Sequence, residues 1–285
     1  MKKKILFIFI CISLFCTGCN NKLDNEKEIN NEKDDIEQST LSYSGRNGTA
    51  DKIEGKTVII SIYVSDMDYK WNFNNDKDND RVIETFNNLR IATDYLTKQV
   101  EKYDKKAEFI YDWYKDINLR YIANIDDSIV NNYNDKYIIQ KEWIIDNIDI
   151  IKIKDKYMAD NIIFMCFFNT DNSSNAITST YNFDLDIVNI FPENDKYIIP
   201  PATYAHELLH TFGAPDLYFE NAVINQEYVD YYMENYPSDI MASVYYGNEI
   251  TNTFSELDAY YVGLIDSHPD IEKWGLGISD HIYND

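Results

Sequence analysis

Basic residues, cysteine, proline and glycine are all scarce in this chain of 285 residues, and each shortage narrows what it can be. Lys and Arg number 26 against 49 Asp and Glu, a formal net charge of −23. Nucleic-acid binding needs clustered cations to displace counterions from phosphates, so the charge argues against a nucleic-acid partner. Of four cysteines, Cys11, Cys16 and Cys19 crowd the N-terminus. Cys166 stands alone in "NIIFMCFF", which leaves no disulfide framework and reads as an inert core thiol. Six prolines and nine glycines form no interdomain linker, and no internal repeat is visible. The longest apolar run, "ILFIFICISLFC" (5–16), falls short of the roughly 20 residues that a spanning helix needs. What the chain does hold is apolar and aromatic material, 45% and 15% of its residues, enough to fill a core.

The short apolar run follows "MKKK", and together they read as a signal segment over residues 1–18. The run ends in "CTGCN", where small residues before Cys19 resemble the lipobox of bacterial lipoproteins. That resemblance implies cleavage before Cys19, lipid attachment to it, and an exported protein held on the extracellular side of the cell membrane. The departure is Cys16, where a Leu-like residue is usual; the alternative is ordinary cleavage and secretion. Loss of the signal leaves 23 basic against 49 acidic residues. Residues 19–54 carry almost no apolar side chains and read as a flexible, acidic and polar tether.

Folded structure is expected over 55–285. "KTVIISIYVSD" (56–66) reads as a buried strand. "DRVIETFNNLRIATDYLTKQVEKY" (80–103) has apolar residues at helical spacing, with Asp80 as its expected N-cap. A strand at 107–114, a helix at 140–157 and a strand at 161–168 follow. Alternating strands and helices predict a mixed α/β (α+β) domain. "DKDND" (76–80) spaces Asp76, Asp78 and Asp80 like the start of a calcium loop. Arg81 and Asn87 stand where that loop needs Gly and a bidentate Glu, so the segment reads as a solvated acidic turn and calcium is unsupported.

Only four histidines occur in the chain, and two are in "HELLHTFGAPDLY" (206–218). "PPATYAHELLHTFG" reads as a helix starting near Pro201 and ended by Gly213. At about 100° per residue, His206 and His210 lie about 40° apart on one face, one turn from each other. Two imidazoles so placed can converge on one ion, with Glu207 beside it; this is the H-E-x-x-H pattern of zinc-binding histidines and a general base. A catalytic zinc usually takes a third protein ligand. Asp216 follows the Gly213 break at a distance from which the chain can turn back, whereas His268 and His281 lie far downstream.

"HELLHTFGAPD" resembles H-E-x-x-H-x-x-G-x-x-D, the metzincin signature in its version with Asp as third ligand. It is most similar to the motif of snapalysin-type and immune-inhibitor-A-type secreted bacterial metallopeptidases, and Pro215 and Tyr218 fit its continuation. "YPSDIMAS" (236–243) resembles the metzincin Met-turn, with Met241 as its methionine. "TFSELDAYYVGLI" (253–265) resembles the C-terminal helix that follows; Thr253 and Glu256 are spaced as a capping box. The likeness covers about residues 200–265. It implies a metzincin-like zincin with a twisted mixed sheet, backing helices, an active-site helix, a Met-turn and a C-terminal helix.

The resemblance also implies one catalytic Zn²⁺ on His206, His210 and Asp216, with Gly213 and Met241 structural at the site. Glu207 would be the base that takes a proton from water and passes it to the leaving amine. The expected activity is extracellular endopeptidase cleavage of a protein or peptide substrate, by a monomer whose only membrane contact is its lipid. Ser243 stands where some metzincins carry a Tyr, so Tyr218, Tyr245 and Tyr246 are all candidates to stabilise the transition state. The substrate-binding edge strand is expected within 174–191. Two alternatives stay open: a catalytically silent zinc-binding surface lipoprotein, and a gluzincin-type site with Glu220, Glu227 or Glu234 as the distant ligand.

Overall fold

In "TVIISIYVS" nearly every residue is apolar or β-branched, and a strand of that kind must be covered on both faces. It becomes β1 (Gly55–Ser65), an interior strand of the sheet. The structure is a computed structural model that describes residues 50–112, 116–130, 135–170, 178–182, 184–194 and 197–283. The signal segment, Cys19 and most of the tether lie outside the described residues. The fold takes in residues just upstream of β1: Ala50 and Ile53 are buried, and the Ile53 amide donates to the Val262 carbonyl.

After β1 come α1 (Asp76–Glu101), β2 (Ala107–Tyr111) and β3 (Arg120–Asn124). Next are α2 (Lys136–Asn147), α3 (Ile150–Tyr157), β4 (Asn161–Phe168), β5 (Ser179–Asn182) and β6 (Asp186–Ile190). A two-strand hairpin of β7 (Glu193–Asn194) and β8 (Tyr197–Ile198) precedes α4 (Pro201–Thr211). The chain closes with α5 (Gln226–Asn235), α6 (Glu256–Tyr261), α7 (Pro269–Trp274) and α8 (Asp280–Tyr283). The six-strand sheet has the order β2-β1-β4-β6-β5, with β3 pairing further along β1. β5 alone is antiparallel, and it ends the order opposite β2. With eight helices among the described residues this is a mixed α/β architecture of the α+β kind, as the strand-helix alternation predicts.

Side-chain alternation in β1, β4 and β6 feeds two cores. Ile59, Tyr63, Ile163, Met165, Phe167 and Val188 pack with α1 and α4 on one face. Val58, Ile60, Ile62, Phe164, Cys166 and Ile187 pack with α2 and α3 on the other. Cys166 is fully buried, and burial pushes its thiol pKa up to about 12, which makes it the inert thiol expected.

Several boundaries differ from those the sequence predicts, among them the start of the 140–157 segment, where the helix begins at Lys136. Helix α1 starts at Asp76, not Asp80, because the Asn75 side chain accepts from the Asp78 amide and caps it. Asp76, Asp78 and Asp80 therefore occupy its first turns, where carboxylates favour the positive end of the helix dipole, rather than a turn before it. The 140–157 segment is two helices: Asp149 accepts from the Lys152 amide and restarts the helix after a break at Ile148. At α6 the capping box uses Ser255 and Asp258 instead of Thr253 and Glu256. Thr253 is engaged elsewhere, its carbonyl accepting from the Ile240 amide.

Candidate metal centre

Helix α4 is buried along most of its length, and His206, Glu207 and His210 are each less than a tenth exposed. Its end is built as the sequence suggests. The Gly213 amide donates to the His210 carbonyl and the Ala214 amide to the Leu209 carbonyl, a Schellman arrangement. Gly213 has φ 101°, and a Cβ there would meet the Tyr261 carbonyl at 3.1 Å. The chain then turns back, bringing Asp216 to the two imidazoles.

His206 Nδ1 lies 2.9 Å from the Ile240 carbonyl, and His210 Nδ1 lies 2.8 Å from the Ala214 carbonyl. A carbonyl only accepts, so each Nδ1 carries the proton, and the Nε2 lone pairs turn toward each other. The two Nε2 atoms are 3.1 Å apart, and Asp216 Oδ1 lies 3.2 and 3.3 Å from them. In tetrahedral zinc coordination, bonds of about 2.0–2.1 Å set neighbouring ligand atoms about 3.3–3.4 Å apart. The observed triangle fits a single small cation.

The chemistry of the donors points the same way. Asp216 Oδ1 is buried with no hydrogen-bond partner of good geometry, and it faces two further acceptors. Three acceptors converging in one place need a positive charge. Burial opposes protonation of His210, but the Asp216 and Glu207 carboxylates outweigh it and push its pKa up to about 9. Burial likewise opposes ionisation of Asp216, and the imidazoles overcome it, holding this carboxyl well below the usual carboxylate range. A metal cation and a proton thus compete for one place. His206, His210 and Asp216 form the only group among the described residues with three such ligand atoms within reach of one ion.

The other histidines are engaged elsewhere. His268 caps α7 by accepting the Asp270 amide, and His281 Nε2 sits 2.9 Å from the Phe212 carbonyl. Glu220, Glu227 and Glu234 are exposed and lie outside the metal-binding group.

A cleft of about 360 Å³ opens over the three ligands. Thr178, Ser179, Thr180 and Asn182 of the β5 segment line one side, and Tyr218, Phe219 and Asn221 line the other. β5 is the edge strand expected within 174–191. Of the three candidate tyrosines the structure brings only Tyr218 into the cleft, its ring centroid 6.4 Å from that of His206. The Tyr245 hydroxyl instead donates to the Pro237 carbonyl, and Tyr246 is 73% exposed outside the cleft. Neither of them lines the cleft as it stands.

Met241 is fully buried in that turn, and its carbonyl accepts from the Leu217 amide, next to Asp216. The segment 240–241 therefore holds two ligand-bearing stretches by backbone alone, His206 through Ile240 and Leu217 through Met241. Nothing in the sequence marks the Ile240 and Ala214 carbonyls, Thr180, Phe219 or Asn221. None of these residue types advertises the role.

Comparison of the chain with family models, with curated proteins and with solved structures finds no match. The functional reading therefore stands on the site itself.

Proposed function

We propose that this protein is a zinc-dependent endopeptidase, exported and lipid-anchored through Cys19, of the metzincin type its motif resembles. The observation that carries the reading is the triangle of His206 Nε2, His210 Nε2 and Asp216 Oδ1, with Glu207 on the same helix lining the same cleft. Two histidines and a carboxylate leave an open position, the pattern of a catalytic rather than a closed structural zinc site. When bound there, zinc supplies a Lewis acid and lowers the pKa of water toward about 7.

The chain's own residues supply the rest. The Ile240 and Ala214 carbonyls fix the tautomer and aim of both imidazoles. Glu207 takes a proton from water at the cleft and delivers it to the departing amine. β5 ends the strand order of the sheet, and an extended peptide can lie along it beside the cleft. A silent zinc-binding protein would need no such base.

The test is Glu207→Gln. We expect one zinc per chain in both forms by elemental analysis, with casein cleavage in the wild type alone. Equal cleavage by both forms would overturn the mechanism, and no cleavage by the wild type of any protein or peptide library would overturn the peptidase reading.

A further inference from the structure

A base that must accept a proton at one oxygen works best when its other oxygen is tied down. Glu207 Oε2 accepts a hydrogen bond of 2.7 Å from the Thr180 hydroxyl. That hydroxyl also lies 3.2 Å from the Glu207 backbone carbonyl, but it has a single proton. The shorter contact to a charged acceptor is the stronger one and takes that proton. Thr180 is not on the helix of the metal motif. It sits on the edge strand β5, paired with Val188 of β6, and is brought to Glu207 by the packing of β5 against α4.

We infer that Thr180 is a positioning residue for Glu207, resting on the peptidase reading above. Its hydroxyl occupies Oε2, so Oε1 is the oxygen that receives the proton from water and returns it to the leaving amine. No net change occurs at Thr180: it donates to Oε2 before, during and after the transfer. The arrangement also ties the base to the strand against which an extended substrate would lie. The acceptor oxygen is thus set relative to the scissile bond, and an error of about 1 Å in such placement costs on the order of a hundredfold in rate.

Thr180→Val removes the hydroxyl and keeps the β-branched shape that suits a strand. Thr180→Ser keeps the hydroxyl and loses the methyl. We expect Thr180→Val to lower kcat about 10- to 100-fold, the usual effect of losing a group that orients a catalytic residue. KM, zinc content and thermal midpoint should stay near their wild-type values, the pattern of a lost orientation that bears on the chemical step and not on substrate binding. Thr180→Ser should restore most of kcat. Wild-type kcat in Thr180→Val overturns the proposal, as does a Thr180→Ser enzyme as slow as the Val variant. A wild type that cleaves nothing overturns the peptidase reading and this role with it, whereas a cleaving wild type matched by Thr180→Val removes this role alone.

Discussion

His206 Nε2 and His210 Nε2 face each other across 3.1 Å, each ring held from behind by a backbone carbonyl. Neither nitrogen can donate to the other in this tautomer, so the contact calls for a positive charge between them, a proton or a metal ion. The third corner, Asp216 Oδ1, completes the demand for charge.

Asp216→Ala removes one corner of the triangle and the only carboxylate in it. We expect the variant to lose zinc on dialysis against a chelator that the wild type withstands, while its circular dichroism stays native. Undiminished zinc by elemental analysis would move the third ligand elsewhere.

Gly213→Ala tests the turn that brings Asp216 back to the two histidines. At φ 101° a side chain is strained, and its Cβ would press on the Tyr261 carbonyl. We expect a loss of about 1–3 kcal/mol in unfolding free energy by denaturant titration. Zinc affinity should fall as well, because the displaced Ala214 carbonyl orients His210. An unchanged denaturation midpoint would contradict the strain.

Tyr218→Phe separates the tyrosines. Tyr218 alone lines the cleft, and burial together with the negative charge of Asp216 and Glu207 holds its pKa above the usual tyrosine value, so it remains a donor. If it donates to the developing oxyanion, kcat should fall by about 10²-fold with zinc retained. Tyr245→Phe should leave kcat unchanged. Equal rates for all three proteins would leave oxyanion stabilisation to the metal.

Asp239 and Asp258 are both buried behind the turn, Asp239 accepting from the Met241 amide and Asp258 from the Ser255 amide. Burial raises both carboxyl pKa values, most strongly at Asp258, which also feels the charge of Asp239. A raised folded pKa means the fold binds the proton more tightly than the unfolded chain does. Its contribution is fully present below the unfolded value of about 3.9 and is lost as pH rises through the folded one. Asp258→Asn mimics the protonated form, so the stability of the wild type relative to it should fall as pH rises above about 4. Thermal unfolding of both proteins across pH reads this directly; a pH-independent difference would mean that the pair holds no extra proton.

The sequence by itself determined whatever depends on neighbours a few residues apart. A helical period places His206 and His210 on one face, and Gly213 ends the helix because a left-handed residue is needed there. Strands β1 and β4 were legible for a similar reason, since their unbroken apolar runs demand burial on both faces. Local competition blurred the element ends: Asn75 outcompeted Asp80 as a cap, and Asp149 split one predicted helix into two.

Tertiary structure decided the rest. The Ile240 carbonyl reaches His206 across 34 positions, and Thr180 reaches Glu207 across 27. Packing of β5 and the 237–242 turn against α4 makes both contacts. A carbonyl carries no residue-type signal, and a threonine on an edge strand looks like any other. The same packing set Tyr218 in the cleft and left Tyr245 outside it, because side-chain direction at long range follows the fold and not the spacing.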